Sequence, residues 1–540
     1  MSTDAEGESQ VSESGHPTII VDHELERMCD EAALSLEGRA ELFQRAGNLV
    51  RVINGAGSKL RGLIRSPGEP NIQSIPLSQM HLMLASSADW KKWKKDEGEF
   101  QLVPSLPPDK VVKGVLERGE YPQCIRELQA VIETPMLRLD HQVIQKPGYD
   151  EYSGLLYLQP RCLEGHSVPE FPNREDIDEA RELLLDMIFD FQFRNESHRS
   201  AYLAGLLTCH ARFAIDGNIP LFMVTANSPR TGKTLLTEIT SELVVGRDFT
   251  KMSQHVDEEA ERKVITSLAM SGCLYVLIDN ISKPFGSAAL DMALTTGTVS
   301  DRAMHTFSMV SAPWKAVTWA TANNPQFKQG SDTAMRTLEI ALETELDRPE
   351  IRQGFRHHPL KDYVKQNRAR LVMAALTMLR GYCAAGRPDQ GLKNWGGFDE
   401  WSRLIRHCLV WCGLPDPYEA HAELLESADT DRQLKEDLIM GLKEVLDHYK
   451  AESITFSEIL TELESQIEYR RHNQNQAISF PRIHQALMQL CNVRDGRLPP
   501  SNVVGNRIKR FKGSVSGKHQ LVPLDRGMHG FRWTVREVSQ

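Results

Sequence analysis

A chain of 540 residues, 41% hydrophobic and 25% charged, has the composition of a globular protein with enough apolar material for three or four domains. A net charge of −10 argues against a surface coated with basic charge for duplex DNA, although it leaves room for a local basic patch. No run approaches the roughly 18 apolar residues that a membrane-spanning helix needs, and the start MSTDAEGESQVSESGHP lacks the apolar core of a secretory signal, so no membrane partner is expected.

Along the chain, residues 1 to about 35 read as a disordered tail. Residues 36–170 mix short apolar runs with turn clusters such as RSPGEPN and PSLPP, which suggests an N-terminal accessory domain. Within it, DWKKWKKDE sets Trp90 and Trp93 among lysines at helical i, i+3 spacing. Stacking of bases on the tryptophans is one reading, and an amphipathic helix packed by them is the preferred one. Between about 175 and 420, long helices alternate with the apolar runs Leu221–Thr225, Leu274–Ile278 and Ala316–Thr321. That is the pattern of a parallel sheet buried on both faces. The nine cysteines are scattered and only Cys408 and Cys412 are close, which makes a poor zinc site; buried, reduced thiols and a cytoplasmic location are expected. Residues 421–540 open with the charged helical segment DRQLKEDLIMGLKEVLDHYK and close with a small basic strand-and-helix region.

The run LFMVT leads into ANSPRTGKT and then the helical LLTEITSELV. Strand, loop and helix in that order turn backbone N–H groups and a helix N-terminus toward an anion. Gly232 allows close approach of the backbone, Lys233 offers a charge to β and γ phosphates, and the Thr234 hydroxyl suits Mg²⁺. Asn227, Thr231, Gly232, Lys233, Thr234 and Leu235 are therefore the candidate nucleotide contacts. Asn227 stands where such loops usually begin with glycine, and Asn tolerates left-handed backbone geometry.

About forty residues on, GCLYVLIDN ends a second buried strand in Asp279, placed to hold Mg²⁺ together with Thr234. The following Asn280 can orient water but cannot accept its proton. A third strand, AVTWATANNP, ends in Asn323 and Asn324, where an amide can sense the γ-phosphate and position water; Asn-Asn-Pro is also an ordinary turn signal. Beyond it Arg336 in GSDTAMRTLEI is a candidate to reach the γ-phosphate of a neighbouring subunit, with a plain surface arginine as the alternative. ATP and Mg²⁺ are the expected ligands.

The series NSPRTGKT, LYVLIDN, TTGTVSDRAMH and ATANNP…DTAMR resembles the AAA+ superfamily 3 helicases. More narrowly, it is similar to the helicase halves of primase–helicases from prophages, plasmids and bacterial integrative elements. The resemblance covers roughly residues 100–420. It implies a P-loop AAA+ core of α/β class with a helical lid, an accessory domain before it and a winged-helix-like module after it. It also implies an ATP-driven DNA helicase or translocase in replication of a mobile element. Lys233 and Thr234 would bind nucleotide and metal, Asp279 would hold Mg²⁺, and Asn323 would be the sensor. Arg336 would act in trans, which implies a ring, a hexamer in this family. Two residues depart from the family pattern: Arg230 stands for a glycine, and Met335 for a second arginine. No polymerising primase half is evident, so a separate primase is a conceivable partner. A nucleotide-switched initiator or loader that does not unwind DNA is the alternative function.

For single-stranded or forked DNA there are two candidate surfaces. The interval TTGTVSDRAMHTFSMVSAPWKAV would carry, by the resemblance, a hairpin that grips DNA in a central channel, with Arg302, His305, Phe307 and Lys315 as candidate contacts; a surface hairpin with ordinary charges is the alternative. Residues 501–540 read as a helix, a turn and a two-stranded hairpin. They hold eight lysines and arginines against two acids, a net of +6, with Arg507, Lys509, Arg510 and Lys512 crowded into six positions. A solvated basic face is the alternative there.

Overall fold

The computed structural model describes residues 15–60, 63–96, 98–228, 230–254, 257–302, 309–323, 325–328, 331–344, 352–472, 479–491, 493, 498–527 and 530–538. The chain forms two compact units, Met1–Ala422 and Glu423–Gln540, of mixed α/β architecture.

The first unit begins earlier than the tail expected to reach residue 35. β1 (Thr18–Val21) and α1 (Leu25–Leu34) are formed, and Ile19, Met28, Ala32 and Ala33 are buried. A few apolar positions at strand and helix spacing suffice to dock this segment despite its acidic composition. Residues 36–170 fall within this first unit. The hairpin of β2 (Ser58–Leu60) and β3 (Leu63–Arg65) extends the central sheet, and α2 (Leu77–Ser87) leads into the strand β4 (Asp89–Asp96). β4 pairs in parallel with β1 and antiparallel with β5 (Glu99–Pro104), before α3 (Asp109–Leu116). The helix expected at Trp90–Trp93 is thus a strand. Spacing of i, i+3 unites two residues on one helix face but separates them on a strand. Trp90 is buried with its Nε1 donating to the Leu84 carbonyl at 2.9 Å, whereas Trp93 stands in solvent.

The central sheet follows the helices α4 (Arg174–Met187) and α5 (Glu196–Ala211). Its elements in chain order are β6 (Leu221–Ala226), α6 (Lys233–Val245), β7 (Thr250–Met252), α7 (Glu258–Met270), β8 (Tyr275–Ile281) and α8 (Ala288–Thr296). A separate antiparallel hairpin, β9 (Thr298–Arg302) and β10 (Met309–Pro313), precedes β11 (Val317–Asn323) and β12 (Thr337–Leu342). The strand order is β12-β6-β11-β8-β7-β3-β2, parallel from β12 to β7. The antiparallel β3 occupies what would otherwise be the open edge of β7.

Alternation along each strand feeds two cores. Phe222, Val224 and Trp319 pack under α4, α5, α6 and the long helix α9 (Leu360–Ala384), while Leu221, Met223 and Ala320 pack under α7 and α8. Both faces being covered is the reason these strands read as nearly unbroken apolar runs. α5 lies so close to the sheet that a Cβ on Gly205 would come within 2.6 Å of the Trp319 ring. Cys408 and Cys412 are fully buried in this core. Among the described residues no helix is long and apolar enough to cross a membrane.

In the second unit the latter part of α10 (Tyr418–Tyr449) is followed by β13 (Ile454–Thr455), α11 (Phe456–His472), α12 (Pro481–Leu490) and α13 (Ser501–Arg507). The strands β14 (Val515–Ser516), β15 (His519–Gly527) and β16 (Gly530–Glu537) complete a sheet of order β13-β16-β15-β14. Leu442, Phe456, Ile483, Leu487, Ile508, Leu521 and Trp533 share its core.

Candidate active site

Because β6, β11 and β8 are adjacent and parallel, their carboxyl ends open on the same edge of the sheet, where α/β folds bind ligands. The register sets Ala226 beside Asn323 and Ile278 beside Ala320. The loop after β6, the tip of β11 and the tip of β8 are thereby gathered from three distant stretches of sequence.

Asn227, expected among the nucleotide contacts, spends its amide on the end of β12. It donates to the Thr344 carbonyl at 3.0 Å and accepts from the Thr344 N–H at 3.3 Å. Its use of an amide in place of glycine thus has a structural purpose. Further on, Arg230 takes φ +62° and Gly232 φ +99°, two left-handed turns in three residues. Arg230 accepts the glycine-type conformation at a cost of roughly 1–2 kcal/mol. At Gly232 a Cβ would also stand 3.0 Å from the Phe191 ring. Thr231 Oγ1 donates to the Ser228 carbonyl at 3.2 Å, closing the loop.

Lys233 opens α6, and the glycine at the N-cap supplies no side chain to the first-turn N–H groups, which leaves that end suited to an anion. Thr234 is exposed, whereas the Leu235 side chain packs against the core, so only its backbone faces the loop's ligand side. Lys233 Nζ donates to Asn323 Oδ1 at 2.5 Å. Among the described residues no carboxylate pairs with this lysine, and burial pushes its pKa down. A half-buried cation held only by an uncharged amide is a site short of negative charge, which fits a phosphate ligand.

Asp279 and Asn280 form a bulge where the β8–β11 register breaks between Ile278 and Ile281. Asn280 has φ +56° and an exposed side chain. The hydroxyl of Thr321, on β11, donates to Asp279 Oδ1 and accepts from the Asn280 N–H, both at 2.7 Å. Thr321 is 4% exposed and is a site residue that the motif reading missed. Its one signal was a polar side chain inside an apolar strand, two residues before Asn323 and therefore on the same face. Lys251 on β7 was missed as well. Its ammonium is held above the usual lysine range first by the hydrogen bond to Asp248, at 2.9 Å, and to a smaller extent by the charges of Asp279 and Glu238. One carboxylate and one hydroxyl, Asp279 and Thr234, are the kind of donor set that Mg²⁺ uses beside phosphate oxygens and water.

Arg336 is not part of this cluster. It ends a 3₁₀ turn (Thr333–Arg336) just before β12, whose register places Thr337 beside Leu221 and Leu342 beside Ala226. It therefore sits at the opposite end of the strands, roughly 17 Å along β12 from the edge that carries Lys233 and Asn323. Its guanidinium lies 3.6 Å from Asp332, and its Nε is buried without a partner. Within its own chain it does not approach Lys233.

Of the candidate DNA contacts, Arg302 ends β9 opposite Met309, while His305, Phe307 and Asn324 lie outside the described residues. Lys315 falls beyond the hairpin rather than on it. Burial, reinforced by Arg212, disfavours its charged form. In the second unit Lys509, Arg510 and Lys512 are exposed around the turn that follows α13. Arg507 donates to the Leu490 carbonyl at 2.9 Å, so its guanidinium caps the end of α12.

No protein-family model matches the chain. No curated relative matches its sequence. Among solved structures, the chain is similar to the apo C-terminal region of NrS-1, with 13% identity and a TM-score of 0.33 over 86% of this chain and 99% of that one. It is also similar to SCCmec type IV Cch, described as an active helicase, with 12% identity and a TM-score of 0.29 over 92% and 97% of the two chains. These are broad likenesses to mixed α/β structures, and at such TM-scores they carry no part of the functional reading.

Proposed function

We propose that this chain is an ATP-hydrolysing DNA helicase or translocase of the AAA+ superfamily 3 kind, working as a ring in the replication of a mobile element. The observation that carries the reading is the meeting of Lys233, Asn323 and the Thr321-held Asp279 at one edge of a parallel sheet, beside a helix N-terminus without a side-chain cap. Lys233 binds the β and γ phosphates of ATP, which replace its contact with Asn323. The freed amide of Asn323 then orients the attacking water or the γ-phosphate. Thr234 and Asp279 would hold Mg²⁺, which when bound neutralises charge on the phosphate oxygens. Thr321 keeps Asp279 in one rotamer. Arg336, too far from the phosphates of its own chain, serves the site of the next subunit in the ring.

Single-stranded or forked DNA would be gripped at the β9–β10 hairpin and by the basic C-terminal unit, read as a winged-helix-like module. A separate primase would supply the primers. One observation favours the second reading, a nucleotide-switched initiator or loader. At the tip of β8 Asn280 offers an amide where a proton acceptor would be most useful.

A steady-state ATPase assay with and without single-stranded DNA separates the two. A motor turns over ATP in Mg²⁺ and is stimulated by DNA. Binding of nucleotide without turnover under either condition would sink the motor and leave the switch.

A further inference from the structure

The β4–β5 hairpin belongs to neither the sheet edge that carries Lys233 nor the C-terminal unit. It carries four lysines in five residues, Lys91, Lys92, Lys94 and Lys95, around Trp93, in a chain whose net charge is −10. Its register sets Trp93 opposite Leu102 and Lys95 opposite Phe100. Strand alternation then places Lys91, Trp93, Lys95, Phe100 and Leu102 on one face. That face is open to solvent, with Trp93 54%, Phe100 66% and Leu102 39% exposed. Between Lys91 and the turn it carries no acid; Asp96 and Glu99 oppose each other on the other face. The Lys95 ammonium lies 5.9 Å from the centre of the Phe100 ring.

Large rings left in water on an edge ribbon are a liability unless something covers them. The charge pattern selects what that is. A neutral protein face has no use for Lys91 and Lys95 set among the rings, with Lys92 and Lys94 on the reverse face of the same strand, and a duplex hides the faces of its bases. Single-stranded nucleic acid presents both phosphates and open base faces. We infer that the β4–β5 hairpin is a binding site for single-stranded DNA, with Trp93 and Phe100 as stacking platforms and Lys91 and Lys95 as phosphate contacts. The two rings are diagonal neighbours, roughly 7–8 Å apart at their backbones, so successive bases can each engage one. Trp90, buried in the core, anchors the ribbon from its other face. The inference shares with the motor reading only the identity of the polymer, since no nucleotide-site residue takes part.

The test uses the full-length protein without nucleotide and a fluorescein-labelled oligothymidylate, with anisotropy followed across salt. A failure of the ATPase reading therefore leaves the result standing. Replacing both rings, Trp93→Ala with Phe100→Ala, should weaken binding about ten-fold or more. Replacing Lys91→Ala with Lys95→Ala should lower the log–log salt slope by about 1.4, at roughly 0.7 per lost contact. Trp93, Lys95 and Phe100 are exposed and Lys91 is half-buried, and circular dichroism with a thermal melt verifies the fold of each variant. Binding to a duplex of equal length should change far less. Unchanged affinity and slope in both variants would overturn the inference. So would an equal loss on duplex, or an altered oligomer mass in sedimentation with oligothymidylate affinity intact, which would make the face a subunit contact.

Discussion

At the sheet edge that carries Lys233 the charges are few, half-buried and tied to single partners: Lys233 to Asn323, and Asp279 to Thr321. On the C-terminal unit the charges are many and exposed, and Lys509, Arg510 and Lys512 surround a short turn. The first arrangement works by geometry, so removal of one atom is felt and salt matters little. The second works by summed charge, so each residue counts modestly and salt decides the outcome. Arg507 shows that sequence clustering alone does not sort the two kinds. It belongs to the basic cluster by position and to the helix frame by its bond to Leu490.

The largest effect should come from Lys233→Ala. ATP turnover should be lost while the thermal melt stays near that of the parent, because the ammonium bonds only to an amide at the surface of the fold. Turnover at the parent rate would show that the geometric arrangement at this edge serves something other than phosphate.

Arg336→Ala should lower turnover by about 10³-fold if the guanidinium acts across a subunit boundary. Mixing these subunits with Lys233→Ala subunits should restore part of the activity, since one mixed interface joins an intact loop to an intact arginine. No recovery at any ratio, with oligomers still forming, would remove the ring from the argument.

A smaller loss is expected from Thr321→Val, which keeps the shape and deletes the hydroxyl. A hydrogen bond to a charged group contributes about 1.5–3 kcal/mol, so turnover should drop at least about ten-fold. The Mg²⁺ concentration for half-maximal rate should rise with it, and Thr321→Ser should recover both. A fall in melting temperature with an unchanged Mg²⁺ requirement would mark Thr321 as a packing residue only.

The mildest effect belongs to the charge-summing region. Lys509→Ala, Arg510→Ala and Lys512→Ala together should reduce the log–log salt slope of DNA binding by about 2–3 and leave ATP turnover without DNA unchanged. Substitution is a better probe here than truncation at residue 500, because Leu521 and Trp533 beyond it fill the core of the unit. Arg507→Ala should behave differently, lowering the stability of the unit more than the slope. An unchanged slope in the triple variant would reduce this cluster to a solvated face.

The sequence by itself determined three of the seven strands of the central sheet, β6, β8 and β11, and the loop between β6 and α6 as a candidate site, because burial on both faces leaves nearly unbroken apolar runs and the loop carries a short run of defined residues. It also determined Asp279 and Asn323 as the polar residues that close apolar runs, which can be read without knowing their neighbours, although β8 continues past Asp279 to Ile281. Only the tertiary structure decided which partners these residues have. The sheet order sets β11 between β6 and β8, and so joins Lys233 to Asn323 and Asp279 to Thr321 across stretches of 90 and 42 residues. The same holds for Trp90 and Trp93. Their spacing suits a helix, and it was pairing with β1 and β5, remote from any local signal, that made them two faces of a strand. Local periodicity records how a side chain is placed on its own element, whereas strand pairing is a long-range choice that the whole fold makes at once.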